Sequence, residues 1–203
     1  MTPEEAAEKV EIKHFTKQSL KIRGVVHVGA NDGYEIQFYL AMGVEKVLAF
    51  EPLDSAFGEL LHKYGEDDRV TLMQCALGDT PSESWLNVTQ GDGMGSSFLR
   101  EYSGPYTFIG KQSCPIVRFD SLGIDLSGYD TLVVDTQGME MQVIRGFGHK
   151  LKAFDFLNIE CSRVSLYEGG FSAQEVIDYL ASQGFQQETP IQDHNDIMFR
   201  RRA

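Results

Sequence analysis

Apolar positions along the chain follow two rhythms, short unbroken runs and stretches of helical spacing, and the two take turns. "GVVHVGA" (24–30) is a valine-rich run of the kind expected of a strand covered on both faces. Behind it, Ile36, Tyr39 and Leu40 keep helical spacing, and Gly43 is placed to end the helix. "KVLAFEP" (46–52) predicts a second buried strand stopped by Pro52. "DSAFGELLHKYG" (54–65) predicts a helix opened by Asp54 as its cap, with Phe57, Leu60, Leu61 and Tyr64 on one face and Gly65 at its close. "RVTLMQCALGD" (69–79) reads as a third strand. This alternation argues for an α/β fold with a mostly parallel, doubly wound sheet.

Residues 80–118 break the rhythm. "SESWLNVT" and "CPIVRFD" predict short exposed strands around the Gly/Ser-rich "QGDGMGSSFLREYSGPY", an insertion expected on the acceptor side of the site. The segments 85–89 and 114–118 offer a possible dimer edge, so monomer and homodimer both stay open. The alternation resumes with "YDTLVVDTQG" (129–138), a strand that carries Asp135 at its carboxyl end. A short helix over "MEMQVIRGFG" follows, then a strand, "FDFLNIECS" (154–162), ending at Glu160. "SAQEVIDYLASQG" (172–184) carries a capping box, Ser172 with Glu175, and stops at Gly184. "FQQETP" and "DIMFRRR" predict an antiparallel hairpin at the sheet edge. Thr2, Pro3 and Glu5 form a further capping arrangement, which predicts a leading helix over 1–20.

Composition narrows the class without changing the fold. The 203 residues suit one domain over 1–203, and a hydrophobic share of 42% with 24% charged residues is that of a soluble globular chain. Thirty acids against eighteen bases leave a net charge of −12. That balance repels phosphate backbones, so it argues against nucleic acid and for a neutral or cationic small molecule. Cys75, Cys114 and Cys161 form no CxxC pair, which points to neither a disulfide framework nor a zinc knuckle. No apolar run approaches the roughly 18 residues of a membrane span, and the first residues lack a basic, apolar signal. A cytoplasmic protein without a membrane partner is the expectation.

The candidate chemistry begins at "HVGANDGYE" (27–35). In an open parallel sheet, ligands bind beyond the carboxyl ends of the strands where strand order switches. Gly29 and Gly33 let backbone approach a ligand there, and Glu51, closing the second strand, can accept hydrogen bonds from both hydroxyls of a ribose. The pattern asks for an adenosine-bearing cofactor. A dinucleotide fingerprint would need glycine where Asn31 and Tyr34 stand. The bulkier, more polar turn suits a cofactor without phosphates, such as S-adenosylmethionine.

Four motifs in order then show a resemblance: "HVGANDGYE", "GSSFL", "DTQGMEMQVIRG" and "ECSRVSLYEGG". Across about residues 24–200 the chain resembles the FkbM-type methyltransferases, class I enzymes that depend on S-adenosylmethionine. Asn31 stands where one branch of that family often has histidine, and Phe98 replaces a leucine; both point to a changed substrate. The resemblance implies a Rossmann-like class I methyltransferase fold and transfer of a methyl group to a hydroxyl of a sugar or secondary metabolite. It further implies that Gly29, Ala30, Asn31 and Gly33 wrap the methionine part of the cofactor and Glu51 its ribose. Pro52 and Leu53 would flank the adenine from one side, Ala76 and Leu77 from the other.

Asp135, at the end of the central strand, is the first choice for a general base or an acceptor-orienting group, with Gln137 beside it and Glu160 on the next strand. Glu140 is equally well explained by the dipole of the helix it opens. A divalent cation on Asp135, Glu140 and Glu160 is conceivable but not expected, since no compact ligand motif accompanies them. His27 reads as a buried histidine that can touch the cofactor end. Ser96 and Ser97 are candidate donors to cofactor or acceptor, while His194 and Tyr167 are candidates for the acceptor pocket. Two rival readings are an NAD(P)-dependent oxidoreductase, which lacks a Tyr-x-x-x-Lys pair here, and a non-catalytic binding module on the same fold.

Overall fold

A computed structural model describes residues 22–100 and 106–202 of the chain; the leading helix expected over 1–20 lies outside them. Five parallel strands form the body of its main sheet: β1 (Gly24–Val28), β2 (Lys46–Phe50), β3 (Val70–Met73), β7 (Thr131–Val134) and β8 (Phe156–Ser162). The last two strands, β9 (Phe185–Gln187) and β10 (His194–Arg201), complete the order β3-β2-β1-β7-β8-β10-β9. The expected C-terminal hairpin is present, but β10 lies inside, antiparallel to both neighbours, and β9 forms the edge.

All five residues of β1 are buried because helices cover both faces of the sheet. On one face, α1 (Ile36–Ala41) and α2 (Asp54–Tyr64) bring Ile36, Tyr39 and Leu60 onto Val25, Val47 and Ala49. On the other, α3 (Glu140–Gly146) and α4 (Ala173–Ser182) bring Ile144, Val176 and Leu180 onto Val26, Leu132 and Leu157. Phe119 and Phe147 stack there with ring centroids 4.1 Å apart. The expected capping box of α4 forms, Ser172 accepting from the Glu175 amide.

Several local expectations are corrected. The 69–79 stretch is two strands: β3 ends at Met73, and β4 (Ala76–Leu77) leaves the main sheet for a second one with order β4-β6-β5. That sheet contains β5 (Ser82–Thr89) and β6 (Phe108–Val117), paired antiparallel through Trp85 opposite Ser113. The 114–118 region therefore lies largely within the central strand of this sheet and is no free edge; β5 is the outer strand. Asp54 is the first residue of α2 rather than its cap, and Leu61 is half-exposed while Ala56 and Leu60 are buried, because the helix turns its narrow apolar side to the sheet. Finally, β8 runs two residues past Glu160.

The excursion through the second sheet positions the site. The chain leaves the main sheet at the outer strand β3 and returns at β7 beside β1. The loops after β1 and β7 thus open side by side at the switch point, where open α/β sheets bind ligands.

Candidate functional site

A cavity of about 870 Å³ lies at that switch point. Its walls include His27, Gly29, Asn31, Glu51, Pro52, Ala76, Leu77, Asp135, Gln137 and Glu160, ten of the residues singled out in the sequence. Ala30, Gly33, Leu53 and Ser97 do not line it. Ala30 is buried, and Gly33 packs on α2, where a Cβ would meet Leu60 at 2.6 Å. Leu53 turns away to pack with Ala56 and Leu86. Ser97 is fully buried and donates its hydroxyl to the Gln137 carbonyl at 2.6 Å.

The turn after β1 is wound tightly. Gly29 (φ +82°), Asn31 (φ +46°) and Gly33 (φ +76°) adopt left-handed backbone, and a Cβ on Gly29 would stand 1.8 Å from the Asp135 carbonyl oxygen. Glu51 holds this turn from the next strand: its Oε2 accepts from Asn31 N at 2.8 Å and its Oε1 from Leu53 N at 2.8 Å. Burial pushes the Glu51 carboxyl up to about 7, with the two backbone donors acting against that rise. A carboxylate offers about four lone-pair sites, so acceptor capacity is left for a ligand. Asn31 Oδ1 is a buried acceptor with no hydrogen-bond partner among the described residues. It is the orphaned polar atom expected where a donor-bearing ligand belongs, and the acceptor set fits the ammonium and ribose hydroxyls of an adenosyl cofactor. His27 is deeply buried, its ring edge-on to Tyr39 at 5.8 Å, and burial lowers it to about 4. It is neutral at physiological pH, packing on Tyr39 while also lining the cavity.

Beside this turn, Gln137 gathers the acids. Its Nε2 donates to Asp135 Oδ1 at 2.9 Å and to Glu160 Oε2 at 2.8 Å, while its Oε1 accepts from the Tyr167 hydroxyl at 2.8 Å. Burial, then the charge and hydrogen bond of Glu160, push Asp135 well above the carboxylate range. Two buried carboxyls this close disfavour each other's ionisation. Gln137 itself is held at φ +54°, a left-handed conformation that costs a non-glycine residue about 1–2 kcal/mol. Glu140 takes no part in this group. Its Oε1 turns back to accept from Thr136 N, Thr136 Oγ1 and Gly138 N at 3.0–3.2 Å, fixing the loop that presents Gln137. Among the described residues no cluster of three or more His, Cys, Asp or Glu side chains could hold a metal ion.

Sequence spacing did not reveal the Tyr167–Gln137 bond or the unpaired Asn31 oxygen, although both lie in motifs that the resemblance marked. Nor did it reveal Gln112 of β6. That side chain donates to the Pro52 carbonyl at 2.7 Å and accepts from Asp54 N at 2.9 Å, tying the second sheet to the cofactor side of the cavity. His194 begins β10, paired with Ser162. The three cysteines are free and buried. No helix among the described residues is long and apolar enough to cross a membrane.

Strand order, helix layering and a cavity at the β1/β7 switch point define a Rossmann-like fold of the kind adopted by class I methyltransferases. The model of the methyltransferase FkbM domain matches residues 27–186, and the chain belongs to that family. It is 26% identical to the 2-O-methyltransferase NoeI of Sinorhizobium fredii (strain NBRC 101917 / NGR234), over 87% of this chain and 78% of that protein. Among solved structures it resembles Aeropyrum pernix fibrillarin in complex with natively bound S-adenosyl-L-methionine, with TM-score 0.55 and 12% identity, covering 97% of this chain and 74% of that one. It also resembles M. capricolum TrmK in complex with S-adenosyl-homocysteine, with TM-score 0.52 and 8% identity, covering 99% and 68%. These two likenesses bear on the fold.

Proposed function

We propose that the protein is an S-adenosylmethionine-dependent O-methyltransferase of a small hydroxylated acceptor, a sugar or a secondary metabolite. One observation carries this reading. The Asn31–Glu51 arrangement, suited to an adenosyl cofactor, and the Asp135–Gln137–Glu160 cluster, suited to a proton transfer, face the same cavity. Family membership and the 2-O-methyltransferase relative support the reaction class.

When bound, the cofactor supplies an electrophilic methyl carbon on a sulfonium. The protein's share of the work is alignment and proton handling. Gly29, Asn31 and Glu51 would hold the cofactor, and Pro52, Ala76 and Leu77 would border its adenine. Gln137 holds both carboxyls, and a carboxylate of the Asp135–Glu160 pair would accept the proton that the acceptor hydroxyl gives up.

The lining also bears on the acceptor. Asp32, Glu35, Glu51, Asp92, Asp135 and Glu160 line the cavity, with Asp32 paired to Lys63 at 2.7 Å and burial favouring the protonated forms of Glu51 and Asp135, and no Lys or Arg lines it among the described residues. The remaining bias is acidic and favours a sulfonium over phosphate or carboxylate groups. The acceptor is therefore neutral or cationic, with Tyr106, Phe98 and Leu166 giving it apolar surface.

The test is turnover of a hydroxylated panel with S-adenosylmethionine, read as release of S-adenosylhomocysteine and gain of one methyl group at oxygen. Asp135→Asn should lower kcat by about 100-fold or more, the usual share of a general base, and leave S-adenosylhomocysteine binding intact. Methyl gain at nitrogen or carbon would overturn the O-methyl reading.

A further inference from the structure

The segment 90–99 forms one wall of the cavity. Asp92, Met94, Ser96 and Phe98 line the cavity together with Glu51, Pro52 and Ala76. Near one end the segment rests on the cofactor side: Gly93 lies so close to Leu53 that a Cβ would stand 2.3 Å from its Cδ2. At the other end it is tied to the carboxyl cluster. Ser97 Oγ donates to the Gln137 carbonyl at 2.6 Å and accepts from Leu99 N at 3.0 Å. The Ser97 backbone pairs with Asn87 in both directions, and Asn87 Nδ2 donates to the Ser97 carbonyl at 3.0 Å. One further bond, Glu168 N to the Arg100 carbonyl at 2.8 Å, joins the end of the segment to the main body.

This arrangement has a hinge and a latch. The β5–β6 register shifts between Val88 and Thr89, and Gly91 and Gly93 follow with φ +84° and +78°, so the backbone bends where the segment starts. The latch residue is fully buried, and its partner carbonyl belongs to Gln137, whose side chain holds Asp135 and Glu160. Among the bonds that hold the segment, the Ser97–Gln137 bond is the one that links it to the residue carrying the acids, while the Asn87 bonds tie it to β5.

Resting on the cofactor reading above, we propose that Ser97 is a positioning residue that latches the 90–99 segment over the bound cofactor, and that release of its bond to Gln137 governs cofactor exchange. Lid opening of this kind often limits product release. A single buried hydrogen bond is worth about a tenfold change in a rate or equilibrium.

The test is the dissociation rate of S-adenosylhomocysteine from the full chain, measured by stopped-flow displacement, with thermal unfolding alongside. Ser97→Ala should speed dissociation by about tenfold while the folded protein is retained, and Ser97→Thr, which keeps the hydroxyl, should stay nearer the wild-type rate than Ser97→Ala. If Ser97→Ala does not fold, Ser97→Cys, similar in size but a weak donor, carries the same expectation. A folded variant lacking the donor whose dissociation rate is within twofold of wild type would overturn the latch. A wild-type protein that binds no S-adenosylhomocysteine would overturn the cofactor reading instead, so the two failures are distinguishable.

Discussion

The carbonyl oxygen of Asp135 occupies the space that a side chain on Gly29 would need, 1.8 Å from its Cβ position. The cofactor turn and the strand that carries the carboxyl cluster are therefore in direct backbone contact, and the Asp135 amide also donates to the Val28 carbonyl at 3.0 Å.

Alanine substitutions at three glycines of similar φ separate this contact from backbone strain. Gly43 (φ +85°) has open space around its Cβ position, so Gly43→Ala should cost only the left-handed strain, about 1–2 kcal/mol. Gly33→Ala adds side-chain crowding against Leu60 and Tyr64 and should cost about 2–4 kcal/mol. Gly29→Ala meets backbone and should exceed both, above roughly 4 kcal/mol. Urea unfolding of the three variants gives the order; a Gly29→Ala as mild as Gly43→Ala would contradict the contact.

Most of the main sheet was legible in the sequence because its elements are specified locally. Buried valine runs, a Gly/Asn turn, Glu51 before Pro52 and a capping box each occupy a few adjacent residues. The misread parts depend on distant partners. Nothing within 69–79 says that the chain changes sheets after Met73; that follows from Ala76 pairing with Ile116. Ser97 and Gln137 were both singled out, yet the bond between them spans 40 positions and leaves no spacing signature. Glu140 was ambiguous for the opposite reason, since a first-turn acid suits any helix, and its loop-fixing role shows only in three dimensions.

Acidity of the Glu51 site gives stability a definite pH dependence. In the native state Glu51 keeps its proton up to about 7, whereas the unfolded chain releases it near the ordinary 4.5. The native state binds more protons in that window, so this contribution is full below about 4.5 and is lost as pH rises through about 7. Glu140, also raised to about 7 by burial, acts in the same direction. Below about pH 6.5 the buried neutral His27, lowered to about 4, acts in the opposite direction, so the unfolding midpoint should fall most clearly between about pH 6.5 and about pH 8, and Glu51→Ala should flatten that fall. Asp67→Ala should not, since the Asp67 carboxyl lies at about 2, lowered first by its hydrogen bond from the Arg69 side chain. A midpoint that rises across the window would contradict the raised carboxyls.

Charge should sort acceptors as strongly as shape does. In matched sets of neutral, amino and phosphorylated forms of one hydroxylated compound, the neutral and amino forms should be methylated. The phosphorylated form should be at least about tenfold poorer in kcat/KM, and more so at low salt, where screening is weakest. Equal turnover of the phosphorylated form would mean that the acidic wall does not face the acceptor.

Loss of the Tyr167 hydroxyl should loosen Gln137 without emptying the site. Tyr167→Phe removes one buried bond to Gln137 Oε1, at a cost of about 1 kcal/mol in stability. It should lower kcat more than it raises the cofactor Kd, because the carboxyl pair is reoriented while Asn31 and Glu51 are untouched. Steady-state kinetics with titration of S-adenosylhomocysteine makes the comparison, and a selective rise in cofactor Kd would place Tyr167 elsewhere in the reaction.

On the proposed reading, the cavity holds S-adenosylmethionine through Glu51. Calorimetric titration of the wild type and of Glu51→Ala with S-adenosylmethionine, S-adenosylhomocysteine and NAD tests it most directly. Binding of both sulfur compounds at about micromolar Kd, weakened at least about tenfold in Glu51→Ala and with no heat from NAD, is the result the site predicts. Binding of NAD alone, or sulfur-compound binding that Glu51→Ala leaves unchanged, would contradict it.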